Sequence, residues 1–208
     1  TLTVSDAVNN CTSTAVVSIV QNTTAPVATS SVSATLNCTL TTVDASITTT
    51  TSPVSYTWSG TGITSATNTS SITANQPGTF DYTVTNISNG CFVTGTQSVS
   101  QNTTAPTATL TPSSLTTTCA SPTATLLVTS SADPNSVYTW TVPAGGSLNN
   151  TTSNNPVVSG SGVFTVAVTN TLNGCVSAIE TVTITADANT PILNATSSNS
   201  VICSGDTS

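Results

Sequence analysis

Three residue types in this chain could do chemistry: cysteine, the carboxylates, and the side-chain amide of asparagine. The six cysteines are Cys11, Cys38, Cys91, Cys119, Cys175 and Cys203. No two stand in a C-x-x-C spacing and the chain has no histidine, so disulfide formation is expected of them rather than metal binding. Disulfides imply an oxidising compartment outside the cytoplasm. The seven acids are Asp6, Asp44, Asp81, Asp133, Glu180, Asp187 and Asp206, with no Asp-x-Asp cluster of the kind a calcium site uses. Acid–base catalysis needs a titratable group tuned by charged or polar neighbours, and a serine nucleophile needs a base beside it. Neither arrangement is visible. The chain is therefore expected to be no enzyme, with no metal site and no cofactor.

The asparagine amides offer a different chemistry. Asn10, Asn22, Asn37, Asn68, Asn86, Asn102, Asn149, Asn150 and Asn194 each open an Asn-x-Ser/Thr sequon, the acceptor for an N-linked glycan. A chain with 50 Thr and 32 Ser nearly supplies that number by composition, so position says more than the count. Asn22 and Asn102 occupy the same place in two copies of one segment. Hydroxyl runs such as 48–51 and 116–118 equally allow O-linked sugar.

Composition then limits the partners. There is no Lys, Arg or His, and only 3% of residues are charged. Nucleic acid and anionic membrane surfaces both require cations, so neither is an expected partner. No apolar run approaches the roughly 20 residues of a membrane-spanning helix. Soluble surfaces usually carry about a quarter to a third charged residues. A surface this poor in charge is expected to be buried in an assembly, coated with sugar, or both.

The elements that position these residues come in repeats. Gln21-Asn22-Thr23-Thr24-Ala25-Pro26 recurs as Gln101-Asn102-Thr103-Thr104-Ala105-Pro106, with a degenerate copy ending at Pro191. Asn-Gly-Cys at 89–91 and 173–175 matches Asn9-Asn10-Cys11, and Tyr56-Thr57-Trp58 matches Tyr138-Thr139-Trp140. The expected division is a repeat tail at 1–20, complete repeats at 21–100 and 101–185, and a repeat head at 186–208. Starting and stopping in mid-repeat suggests a window on a longer protein. Asp44, Asp81 and Glu180 face Thr125, Thr165 and Thr96 in the other copy, which argues against a catalytic role. Asp6 aligns with Asn86 and Asn170, and Asp187 with Asn22 and Asn102; such an Asp/Asn exchange points to turn hydrogen bonds in which either oxygen serves.

Within a repeat, Phe80, Tyr82 and Val84 alternate with polar residues, as do Phe164, Val166 and Val168, the period of a half-buried strand. Asn-Gly after each strand fits a two-residue type I′ hairpin, with positive φ at both central residues. The next strand is expected to run through Val93 to Val99, or Val176 to Ile184. No segment has helical periodicity. Short strands at this density give an all-β fold of tandem immunoglobulin-like sandwiches of about 80–85 residues. In such a sandwich Trp58 and Trp140 are expected in the core rather than as sugar-stacking platforms.

The run Tyr82-Thr-Val-Thr-Asn-Ile-Ser-Asn-Gly-Cys91, followed by a strand and QNTTAP, resembles the tandem Ig-like and PKD-like repeats of large secreted surface proteins of Bacteroidota. Val201-Ile-Cys-Ser-Gly-Asp-Thr207 resembles the opening strand of the same modules. The resemblance covers essentially the whole chain and implies stalks, spacers, adhesins or fibre subunits. It says almost nothing about activity. The total lack of Lys, Arg and His is extreme even among such repeats.

Three regular disulfide schemes remain open. Pairing inside a repeat gives Cys38–Cys91 and Cys119–Cys175, the habit of small domains. Pairing across a linker gives Cys11–Cys38, Cys91–Cys119 and Cys175–Cys203. The third joins an early cysteine to the late cysteine of the following repeat, as Cys38–Cys175. The first and last strands of an Ig-like sandwich run roughly parallel. An early and a late cysteine of one repeat would then lie at opposite ends, which favours the third scheme. The function expected is a structural segment of an extracellular or cell-surface fibre or stalk, glycosylated, with copies of itself or adjacent repeats as partners. The alternative is an adhesin module that binds glycans or another cell.

Overall fold

The computed structural model describes residues 1–187, 189–190 and 192–194. Cys203, the strand expected around Val201 and most of the expected repeat head lie outside these residues. The described chain is all strand and turn, with no helix. It divides into two compact units, Thr1–Thr104 and Ala105–Ser208.

The first unit opens with a hairpin, Leu2–Ser5 paired antiparallel with Thr12–Ala15, in which every residue is exposed. A sandwich follows. One sheet has the order Ala28–Val32, Val43–Thr49, Ser71–Ala74, all antiparallel. The other has Val54–Ser59, Gly78–Asn86, Phe92–Val99, also antiparallel. A two-residue ladder, Leu36–Asn37 with Gln101–Asn102, runs parallel. Alternation buries one face of each strand: Phe80, Tyr82 and Val84 from one sheet meet Val43, Ala45, Ile47 and Ile72 from the other. Trp58 is buried in this core and its Nε1 donates to the Thr69 carbonyl at 3.0 Å, so its one polar atom is satisfied. The Trp58 and Tyr82 rings meet at 5.4 Å.

The second unit repeats the plan. Its larger sheet has the order Ser114–Thr118, Glu180–Asp187, Gly162–Asn170, Ser136–Thr141. The first of these strands pairs parallel with the second. Phe164, Val166, Val168 and Trp140 fill the core, and Trp140 Nε1 donates to the Ser153 carbonyl at 2.9 Å. Trp58 and Trp140 are thus core residues. The opposite layer is more broken than in the first unit. Thr123–Thr125 pairs with Val157–Ser159, whereas Leu127–Ser130 pairs with Ala108–Thr111.

Two expectations need correction. The strand after Cys175 does not begin at Val176. Val176 makes an isolated bridge to Thr169, and continuous pairing starts at Glu180. Between them Ser177 forms a bulge: its N–H donates to the Val168 carbonyl at 2.8 Å, and its hydroxyl accepts the Val168 N–H at 3.0 Å. The extra residue shifts the alignment beyond it. Thr96 pairs with Asp81 and Thr181 with Thr165, so Thr181 is the counterpart of Thr96. Glu180 instead corresponds to Gly95. This exchange is steric. A Cβ on Gly95 would collide with the Tyr82 phenol, and the second unit has Val166 where the first has Tyr82.

Candidate functional site: the cysteine turns and the asparagine amides

Three turns, 6–11, 86–91 and 170–175, carry the late cysteines, and their hydrogen bonds coincide. In each, the first residue's carbonyl accepts the N–H four residues on: Asn10 to Asp6 at 2.9 Å, Gly90 to Asn86 at 2.8 Å, Gly174 to Asn170 at 2.8 Å. The first residue's own N–H reaches the cysteine carbonyl at 2.8, 2.8 and 2.9 Å. Its side-chain oxygen accepts the N–H two residues on: Val8 to Asp6 at 2.8 Å, Ser88 to Asn86 at 2.9 Å, Leu172 to Asn170 at 3.0 Å. A second asparagine, Asn9, Asn89 or Asn173, accepts the cysteine N–H at 2.9, 2.9 and 3.0 Å. Asp and Asn interchange because only an acceptor oxygen is used.

The turn is not type I′. Positive φ falls only on the residue before the cysteine, Asn10 at 59°, Gly90 at 70° and Gly174 at 68°. The loop is four residues long, and Asn89 and Asn173 serve through their side chains instead of a left-handed backbone. The second Asp/Asn exchange behaves likewise, with Thr24 N–H donating to Asn22 Oδ1 and Asn189 N–H to Asp187 Oδ1, both at 3.1 Å.

Cys38 and Cys175 are disulfide-bonded, whereas Cys11, Cys91 and Cys119 carry free thiols. This departs from the expectation that all the cysteines are paired, and both the within-repeat and the linker-crossing schemes require Cys91 and Cys119 to be oxidised. Strand direction gives the reason for the first. Leu36–Asn37 lies beside Gln101–Asn102, placing Cys38 at the exit end of its sandwich, with Sγ 4.0 Å from the Thr103 carbonyl. Cys91 precedes the same last strand at its start, with Sγ 4.0 Å from the Asn22 carbonyl. About 11 residues of extended chain separate the two ends, on the order of 35 Å. A disulfide spans roughly 4.4–6.8 Å between Cα atoms. In the second unit Thr118 lies beside Asp187 in a parallel ladder, so Cys119 and Cys175 are kept apart in the same way.

Among the sequons, Asn10, Asn22, Asn68, Asn102, Asn149, Asn150 and Asn194 are exposed, and Asn37 and Asn86 are half-buried. Several have their Oδ1 held by the backbone. Asn37 Oδ1 takes Thr39 N–H at 3.0 Å, Thr39 hydroxyl at 2.9 Å and Leu40 N–H at 2.7 Å. Asn150 Oδ1 takes both Thr152 donors at 2.9 Å, and Asn149 Oδ1 takes Val157 N–H at 2.8 Å. Fixing Oδ1 against the backbone directs Nδ2, the atom that a glycan would take, the other way. Of the hydroxyl runs, Thr117 is buried and unsuited to O-linked sugar, whereas Thr116 and Thr118 are exposed.

The carboxylates are dispersed: among the described residues no three of His, Cys, Asp or Glu gather as a metal site would require. Two acids have hydroxyl partners that sequence reading missed: the Thr73 hydroxyl donates to Asp44 Oδ1 at 2.8 Å, and Asp133 is held by a tyrosine. The Tyr138 hydroxyl donates to Asp133 Oδ1 at 2.6 Å. This bond, chiefly, holds the Asp133 carboxyl below its ordinary range. Burial, then the neighbouring Asp133, pushes the Tyr138 phenol up to about 12. An Asp-Pro turn five residues ahead of a strand tyrosine was the available signal. The first unit has no such pair, since Thr51 stands where Asp133 would. In place of ion pairs, the outer faces carry cross-strand hydroxyl pairs: Thr29 with Thr48 at 2.7 Å, Thr116 with Thr185 at 2.9 Å, Ser147 with Ser159 at 2.7 Å.

No protein-family profile matches the chain, and no curated protein does. Solved structures do. The three N-terminal domains of the highly immunogenic outer capsid protein of bacteriophage RB49 match over 78% of this chain and 59% of theirs, at 16% identity and a TM-score of 0.47. The C-terminal fragment of intimin, solved with its translocated receptor's intimin-binding domain, matches over 78% of this chain and 64% of that fragment, at 13% identity and a TM-score of 0.40. The S-layer protein rSbsC matches over 84% of this chain and 29% of its own, at 12% identity and a TM-score of 0.44. The chain thus spans less than two thirds of each structure's length. The chain is built as tandem immunoglobulin-like β-sandwiches, as the sheets described above establish.

Proposed function

We propose that this chain is a non-catalytic structural segment of an extracellular fibre or surface stalk of Ig-like repeats, of the kind its sequence resembles in Bacteroidota surface proteins. Its partners are copies of itself or adjacent repeats, and its exposed amides carry sugar. The observation that carries the reading is the charge-poor outer faces: tied by hydroxyl pairs such as Thr29 with Thr48 and Thr116 with Thr185, they carry little charge repulsion to resist lateral association.

Electron micrographs of native material test it. The fibre reading expects regular filaments of uniform width. Isolated flexible strings tipped by a separate domain would replace it with an adhesin stalk.

A further inference from the structure

Each complete repeat holds one cysteine at either end of its last strand's axis. In the first unit Cys38 lies against Thr103 and Cys91 against Asn22, each Sγ 4.0 Å from a backbone carbonyl. Asn22 and Thr103 belong to two copies of one linker, QNTTAP. The early cysteine therefore flanks the linker by which the chain leaves a sandwich, and the late cysteine flanks the linker by which it enters. In any tandem array, the early cysteine of one repeat and the late cysteine of the next flank the same linker.

One early cysteine, Cys38, and one late cysteine, Cys175, are oxidised. Cys91 sits in a turn with the same four hydrogen bonds as that of Cys175, and Cys119 follows the same parallel ladder as Cys38. Cys91 is half-buried and Cys119 exposed, both as free thiols.

We propose that Cys91 and Cys119 are stapling sites for neighbouring Ig-like repeats. Cys119 bonds to the late cysteine of the repeat that follows, and Cys91 to the early cysteine of the repeat that precedes. The partner is a cysteine of another repeat, whether on a second copy or farther along the same polypeptide. Each bond forms as two thiols lose two protons and two electrons to an acceptor disulfide, the cystine of an oxidoreductase or a small disulfide, which leaves as two thiols. The result is one staple beside every linker. This inference rests on the tandem-array part of the functional reading and not on filament formation.

The test is disulfide mapping of native material. The protein is denatured without reductant, alkylated with N-ethylmaleimide, and digested with pepsin at low pH, since a chain without Lys or Arg gives trypsin nothing to cut. Peptides holding Cys91 and Cys119 are expected to be free of maleimide, each linked to a cysteine peptide of a different repeat. Stoichiometric maleimide on either cysteine would overturn the proposal, as would a Cys91–Cys119 bond or a small-thiol adduct. Electrophoresis without reductant separates the two sources. Bands at multiples of the polypeptide mass that collapse with dithiothreitol identify a second copy; linked peptides without such bands identify the same polypeptide. Free thiols in well-formed filaments would remove the staple and leave the fibre, whereas stapled peptides from isolated strings would do the reverse.

Discussion

The turn at 86–91 and the turn at 170–175 share their hydrogen bonds, yet the strands that leave them differ. After Cys91, Phe92–Val99 pairs without interruption along Gly78–Asn86. After Cys175, the chain bridges once at Val176, bulges at Ser177 and resumes at Glu180. Cys91 is a free thiol, and Cys175 is buried and oxidised. The hairpin turn at 6–11 makes the same four bonds with no core beneath it. The turn is therefore specified by its own six residues, chiefly the two side-chain acceptors. Register and redox state are specified by what surrounds it.

Removing a core tryptophan should break the comparison most severely. Trp58→Ala and Trp140→Ala should each destabilise by about 3–5 kcal/mol. Each loss should fall on its own unit, so calorimetry should show one transition lowered and the other retained.

Exchanging the steric pair should sharpen it. Gly95→Glu, which copies Glu180 into the first unit, meets the Tyr82 phenol and should cost about 1–3 kcal/mol. With Tyr82→Val in place, the same substitution should cost about 1 kcal/mol less, a coupling that denaturant titration of the four variants reads directly.

The turn acceptors come next. Asn86→Ala should cost about 1 kcal/mol, since the Ser88 N–H loses its acceptor. Asn86→Asp should be close to neutral, because Asp6 holds the same place in the first hairpin.

The last effect is confined to one unit. Tyr138 should ionise near pH 12, read from its phenolate absorbance, and Asp133→Asn should bring that midpoint down. An unfolded tyrosine ionises near 10. The raised value therefore makes the second unit lose stability as pH climbs above about 10. The depressed carboxyl of Asp133 works in the opposite direction: its stabilisation holds above the ordinary carboxylate pKa and fades as pH falls through its folded value.

Much of this architecture was legible in the sequence. Alternation at 80–84 and 164–168 marked the central strands, and the recurring Tyr-Thr-Trp placed each tryptophan in a core. The Asp/Asn exchanges marked the side-chain-capped turns. Three features were hidden. Asn-Gly reads as a two-residue hairpin because the sequence does not say whether Asn acts through its backbone or its amide. The bulge at Ser177 adds one residue within Val176-Ser177-Ala178-Ile179, and Val182 and Ile184 keep their alternation beyond it, which conceals the slip. Which cysteines are oxidised follows neither from spacing nor from position in the repeat: Cys38 and Cys119 occupy equivalent places, as do Cys175 and Cys91, and only the first of each pair is oxidised.

A hydroxyl-rich, almost uncharged surface needs cover. Sedimentation velocity on the purified, unglycosylated chain across a wide concentration range tests that most directly. Growth into large, concentration-dependent species is the expected result. A single sharp boundary at monomer mass up to the highest concentration would contradict it.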